Sequence, residues 1–197
     1  MIIRKFDRCW CILNMIRAFY SDPHFGHYNI IKSCNRPFES LDEMHETLIN
    51  NYNSLIDQHH TVIWLGDAFF KGSVDYDQQI MDSLNGHKII LQGNHDRSAT
   101  FLAKIGFSLV LKDFPVIKIG NRVCRLSHYP YANINHVEGV DIRDLNKRPK
   151  HQPGEVLIHG HTHSSRKREN NCIHVGVDAW DFKPVLWEEV EKLVNLI

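Results

Sequence analysis

Five apolar, strand-like runs in this chain each give way to a short polar segment. The segments are Asp22-Pro23-His24, Gly66-Asp67, Gly93-Asn94-His95-Asp96, Ser127-His128 and Gly160-His161-Thr162-His163. Short β-type runs separated by helical or turn segments commit the chain to sheets with connections between them. In open α/β sheets, groups at the carboxyl ends of strands collect along one edge, where ligands bind. Asp22, Asp67, Asn94, His128 and His161 are all placed at such ends. Aspartate, asparagine and imidazole together are the hard and borderline donors of a hydrolytic metal site. Taken alone, each segment reads as a turn; turns do not require histidine or asparagine at every later position, so the set points to metal ligation. Glycines at 66, 93 and 160 let the backbone come close to a ligand. Asp22 and His24 are two apart, as are His161 and His163, which puts each pair within reach of a common point.

The 197 residues suit one domain with a full core. Lysine plus arginine equals aspartate plus glutamate at 23 each, so no global field draws in nucleic acid and any anion specificity is local. The five cysteines are odd in number and irregularly spaced, which reads as free thiols in a reducing compartment. No apolar run is long enough to span a bilayer. Residues 1–14 lack the long apolar stretch and cleavage site of a signal peptide. They are expected to be an extension to a single domain over 15–197, and a cytoplasmic location is expected.

Strands are expected over 15–20, 61–65, 87–91, 107–111, 116–119, 122–126, 155–158 and 172–177. Helices are expected over 42–56, with Ser40 or Asp42 as cap, and over 74–84, 100–105 and 187–196. Gly120-Asn121 is a two-residue hairpin turn. The first half has a βαβαβα rhythm, which implies a mainly parallel sheet; the second half is β-rich. The expected fold class is α/β, a double β-sheet sandwich flanked by helices. Residues 141–154 are polar, basic and proline-containing and read as a surface loop.

The ordered set D-x-H, G-D, G-N-H-D, H and G-H-x-H resembles the calcineurin-like metallophosphoesterase superfamily over about residues 15–185. Phe25-Gly26-His27-Tyr28-Asn29-Ile30-Ile31 and Arg36-Pro37-Phe38 resemble its small, minimal-domain bacterial and phage phosphoesterases. The resemblance implies two divalent metal ions, manganese first, with iron, zinc or nickel as options. It implies that Asp22, His24, Asp67 and His163 hold the first ion, and that Asp67 bridges to a second held by Asn94, His128 and His161. It implies hydrolysis of a phosphate mono- or diester by a metal-bridging hydroxide. It makes His95 the catalytic histidine, with Asp96 either orienting it or holding the loop. The run Gly66-Asp67-Ala68-Phe69-Phe70-Lys71-Gly72 lacks the second aspartate and the arginine of the protein-phosphatase branch, which argues against a protein phosphatase.

Other residues stay open between two readings. His27 is a substrate contact, a group that supports the site from behind, or a structural histidine. Arg36 is a phosphate clamp, since guanidinium pairs bidentately with phosphate oxygens, or a surface salt bridge. Tyr129 lines the pocket or packs. The basic run over 164–168 reads as a solvated loop, though it could touch a polyanion. The expected substrate is a phosphorylated small molecule or nucleotide. A nuclease or cyclic-nucleotide phosphodiesterase is the alternative, nucleic acid is not favoured as a partner, no membrane partner is expected, and a non-catalytic scaffold ranks last because the ligand set is complete.

Overall fold

The computed structural model describes residues 16–70, 72–132 and 146–197. The expected N-terminal extension, Cys9, Cys11, Met15, Lys71, His136 and residues 133–145 lie outside that range. Ten strands form two five-stranded sheets. The first sheet has the order β10-β1-β2-β3-β4, from Ile16–Tyr20 (β1), Thr61–Trp64 (β2), His87–Leu91 (β3), Leu109–Leu111 (β4) and Val185–Leu186 (β10). β1 to β4 run parallel, and β10 closes one edge antiparallel to β1. The second sheet has the order β5-β6-β7-β9-β8, from Val116–Ile119 (β5), Arg122–Leu126 (β6), Glu155–His159 (β7), Arg168–Glu169 (β8) and Cys172–His174 (β9). β6, β7 and β9 are parallel, with an antiparallel strand at each edge.

Five helices are described: Tyr28–Ser33 (α1), Leu41–Asn53 (α2), Val74–Ser83 (α3), Ala99–Lys104 (α4) and Trp187–Val194 (α5). Serines cap three of them. Ser40, Ser73 and Ser98 each accept a hydrogen bond from the backbone N–H three residues on, which satisfies a donor the helix leaves free. Ser40, not Asp42, is therefore the cap of α2.

Side-chain alternation along the strands divides the core in two. Ala18, Tyr20, Val62, Trp64 and Ile90 point to one face of the first sheet and pack with Met44, Leu48 and Tyr52 of α2 and Leu102 of α4. Phe19, Ile63, Leu65 and Leu91 point to the other face and meet Cys124, Leu126, Val156, Ile158 and Ile173 of the second sheet, with Val190 and Val194 of α5. Burial on both faces explains why β1 to β3 read as nearly continuous apolar runs. The expected two-sheet α/β arrangement is found.

Three elements were not expected: α1, β8 and β10. The last two are two-residue strands, too short to carry a periodicity. The strand expected over 172–177 stops at His174, and the chain turns into a 3-10 helix at Val177–Ala179. No helix among the described residues is long and apolar enough to cross a membrane.

Candidate metal centre

The parallel strands of both sheets deliver their C-terminal ends to one place. Asp22 and His24 follow β1, Asp67 follows β2, Asn94 follows β3, His128 follows β6, and His161 and His163 follow β7. Backbone hydrogen bonds lock these turns together. Asp22 and His24 donate N–H to the carbonyls of Gly66 and Asp67, both at 3.1 Å. Across the sheets, the His161 N–H donates to Asp22 Oδ2 at 2.9 Å, and the Gly160 N–H to the His128 carbonyl at 3.1 Å.

The local backbone is costly. Ten described non-glycine residues have positive φ, and five are candidate ligands: Asp22, His24, Asp67, His161 and His163. Such conformations are uncommon for residues with a Cβ and concentrate where surrounding structure enforces them, at ligand and active sites. The two-residue spacing therefore does not work through an extended strand. Each pair reaches inward because both members are left-handed. The glycines are required by crowding. Gly66 has φ +95, and a Cβ there would lie 2.7 Å from Gly93 Cα and His128 Nδ1. A Cβ on Gly160 would lie 2.3 Å from Asp22 Oδ2.

Two clusters of donor atoms result, Asp22–His24–His163 and Asp67–His128–His161, each with its atoms within 4.8 Å of one another. Asn94 joins the second, its Oδ1 2.9 Å from His128 Nε2, and His161 Nδ1 lies 3.2 Å from the same nitrogen. Asp67 faces both clusters: its Oδ2 is 3.5 Å from His24 Nε2 and 3.4 Å from His128 Nε2. The donor set fits divalent cations. Buried Asp22 Oδ1 and both ring nitrogens of buried His24 have no hydrogen-bond partner, a situation buried polar atoms avoid unless something else satisfies them.

Two histidines are oriented from behind. His128 Nδ1 lies 2.7 Å from the Leu65 carbonyl, which can only accept, so Nδ1 carries the proton and Nε2 faces the cluster. His163 Nδ1 lies 2.8 Å from Asp178 Oδ2, with the same consequence. Burial works against charging His128, but the Asp67 carboxylate, its hydrogen bond and Asp22 outweigh burial and lift the ring to about 9. Burial likewise opposes charging His163, and the hydrogen bond to Asp178 outweighs it, lifting that ring to about 10. Asp67 is held well below the usual carboxylate range: burial pushes it up, and His128, His24 and the His95 N–H pull it down further. His24 is driven strongly down by burial, which keeps the ring neutral and one of its nitrogens free of a proton.

His95 is exposed beside the first cluster. Its N–H donates to Asp67 Oδ1 at 2.9 Å, and its ring lies 5.3 Å from those of both His24 and Phe70. His27 packs its ring 3.8 Å from Phe70 and 6.2 Å from His95, with a buried Nδ1 that has no partner. Asp96 faces the backbone of its own turn and of the turn after β2. Its Oδ2 accepts from the N–H of Asp67 and Gly93 and its Oδ1 from Ala68, at 2.8–2.9 Å, so both oxygens serve the backbone. Tyr129 does both things expected of it: it is buried, its ring is 4.9 Å from those of His128 and His161, and it lines a cleft of about 310 Å³ that opens beside His128.

Arg36 corrects both of its readings. Its side chain is fully buried, and its N–H groups are directed at Asp178 Oδ1 and Oδ2, the carbonyls of Pro23 and Asp22, and Met44 Sδ. Five donors meet five acceptors, so none is left for a phosphate. The residue that sequence reasoning missed is its partner, Asp178. The basic run after His163 is exposed, as a solvated loop is, and makes surface contacts: Arg166 pairs with Glu169, Lys167 Nζ sits 4.1 Å from the Trp180 ring, and Arg168 donates to the Leu196 carbonyl.

No family model matches the chain. It is 31% identical over 184 residues to the uncharacterized protein MJ1445 of Methanocaldococcus jannaschii, which covers 89% of each chain. It is 31% identical over 201 residues to the Gene 66 protein of Mycobacterium phage L5, covering 91% of this chain and 94% of that one. A protein of unknown function from Aquifex aeolicus, AQ665, superposes with a TM-score of 0.68 at 26% identity, over 89% of this chain and 97% of its own.

Proposed function

The chain belongs to one family with the archaeal protein MJ1445 and the phage Gene 66 protein, and we propose that it is a metal-dependent phosphoesterase of the calcineurin-like type. One observation carries the reading. A single carboxylate oxygen, Asp67 Oδ2, lies about equally far from a histidine nitrogen of each cluster, at 3.5 and 3.4 Å. A carboxylate between two clusters of three or more donors is the arrangement by which two-metal hydrolases clamp a phosphoryl group.

Asp22, His24, Asp67 and His163 would hold one ion, and Asp67, Asn94, His128 and His161 the other. Bound divalent ions would supply positive charge against the phosphoryl oxygens and acidify water near neutral pH. The chain's own residues do the rest. Asp67 donates its N–H to Asp96 Oδ2 and accepts with Oδ1 from the His95 N–H, which ties the His95 loop to the shared ligand. His95, exposed on the substrate side, protonates the departing oxygen or stabilises charge on it. His27 supports His95 through Phe70. The organic part of the ester lies in the cleft beside His128, between Phe114 and Tyr129, with Lys112 and Lys147 at its lining.

The test is hydrolysis of bis(p-nitrophenyl) phosphate and p-nitrophenyl phosphate by metal-stripped protein, with and without manganese. Manganese-dependent turnover is expected, and the diester-to-monoester ratio then sorts the substrate class. Folded protein that turns over neither ester with any divalent ion contradicts the reading.

A further inference from the structure

The two clusters differ in what stands behind one histidine of each, His163 in the first and His128 in the second. Behind the first, the guanidinium of Arg36 forms a two-pronged pair with Asp178, Nε to Oδ1 and Nη2 to Oδ2, both at 2.9 Å. Asp178 Oδ2 also accepts from His163 Nδ1 at 2.8 Å. The same guanidinium donates to the carbonyls of Asp22 at 2.7 Å and Pro23 at 2.9 Å, the backbone between ligands Asp22 and His24. One buried side chain therefore ties together three ligands, two after β1 and one after β7. Behind His128 of the second cluster stands a neutral carbonyl, Leu65 O. His128 Nε2 lies against Asn94 Oδ1 and His161 Nδ1, contacts between the ligands themselves that must open to admit an ion.

A carboxylate behind a ligating imidazole fixes its orientation and raises its basicity more than a neutral acceptor does. Ligands held in place before binding lose less freedom on binding. We propose that Asp178, clamped by Arg36, is a positioning residue for His163 that sets the affinity of the Asp22–His24–His163 site alone. The inference rests on the reading of both clusters as metal sites.

Metal-stripped protein is titrated with manganese while free Mn(II) is followed by electron paramagnetic resonance. Wild type takes up two ions. Asp178→Asn, which keeps shape but removes the charge, weakens one step by about 10–100-fold and spares the other. Asn94→Ala weakens the other step, and the double variant shows both losses. Should Asn at 178 compromise folding, Asp178→Glu, with the charge kept but displaced by one methylene, is read the same way. A purely structural role lowers melting temperature without favouring one step. Wild-type affinities in the variant, or equal loss at both steps, overturn the proposal and leave the metal reading standing. Wild type that binds no divalent ion overturns the metal reading itself.

Discussion

Asp67 is the residue on which most of the centre converges. It reaches both clusters with one oxygen and fixes the His95 loop with the other. Asp67→Asn should cost more than the 10–100-fold typical of groups behind a ligand, in both metal retention and turnover; metal analysis and kinetics together check this, and two tightly bound ions with wild-type rate would remove it as the shared ligand. His95→Ala should keep both ions and lose about 10²–10⁴-fold in rate on an ester with a poor leaving group, the range expected for a general acid. An unchanged rate on that ester would take His95 out of the chemistry. At this scale the sequence was informative wherever a residue's identity sufficed. Asp22, Asp67, Asn94, His128 and His161 stand out because aspartate, asparagine and histidine recur after apolar runs; the full set of seven candidate ligands rests on the family resemblance. Arg36 and Asp178 could not be paired, because they are 142 positions apart and neither belongs to a motif. Arg36 read as a phosphate clamp for a sound chemical reason, and burial reassigned it.

At the level of elements, the strand ends work because their turns interlock. Gly93 sits against Asp67: a Cβ there would lie 2.2 Å from Asp67 Oδ1 and 2.6 Å from its N. Gly93→Ala should displace that carboxylate, and a shift of about 1 Å in a catalytic group costs on the order of 100-fold in rate. The check is kinetic, alongside circular dichroism to show that the sheets persist. Helix α3 carries a separate liability. Asp77 is fully buried and neither carboxylate oxygen has a hydrogen-bond partner. Burial lifts its carboxyl to about 6, only partly offset by Arg97. The ionised form is thus disfavoured in the folded chain. Below about pH 4 the carboxyl is protonated folded or unfolded and costs nothing. The cost grows as pH rises from there and is full above pH 6. Asp77→Asn should therefore stabilise the protein by about 1–3 kcal/mol at pH 7–8 and leave it unchanged at pH 4. Denaturant melts at the two pH values decide the matter; equal effects at both would contradict it. The strands from β1 to β7 were legible from apolar runs and turn residues. The short β8 and β10 were not, since two residues carry no period, and the turn that places Asp178 interrupts what reads as a longer strand.

Across the whole molecule, two sheets packed face to face bring strand ends from both halves of the chain to one edge. That is why candidate ligands spaced from 22 to 163 can surround one carboxylate. The chain carries equal numbers of acidic and basic groups, and the basic run after His163 is exposed at the surface. The central claim is that two ions share Asp67. Anomalous diffraction at the manganese edge, from crystals grown with manganese, tests it most directly. The account predicts two peaks about 3.5–4 Å apart, one against Asp22, His24 and His163, the other against Asn94, His128 and His161, with Asp67 between them. A single peak, or two that do not share Asp67, would contradict it.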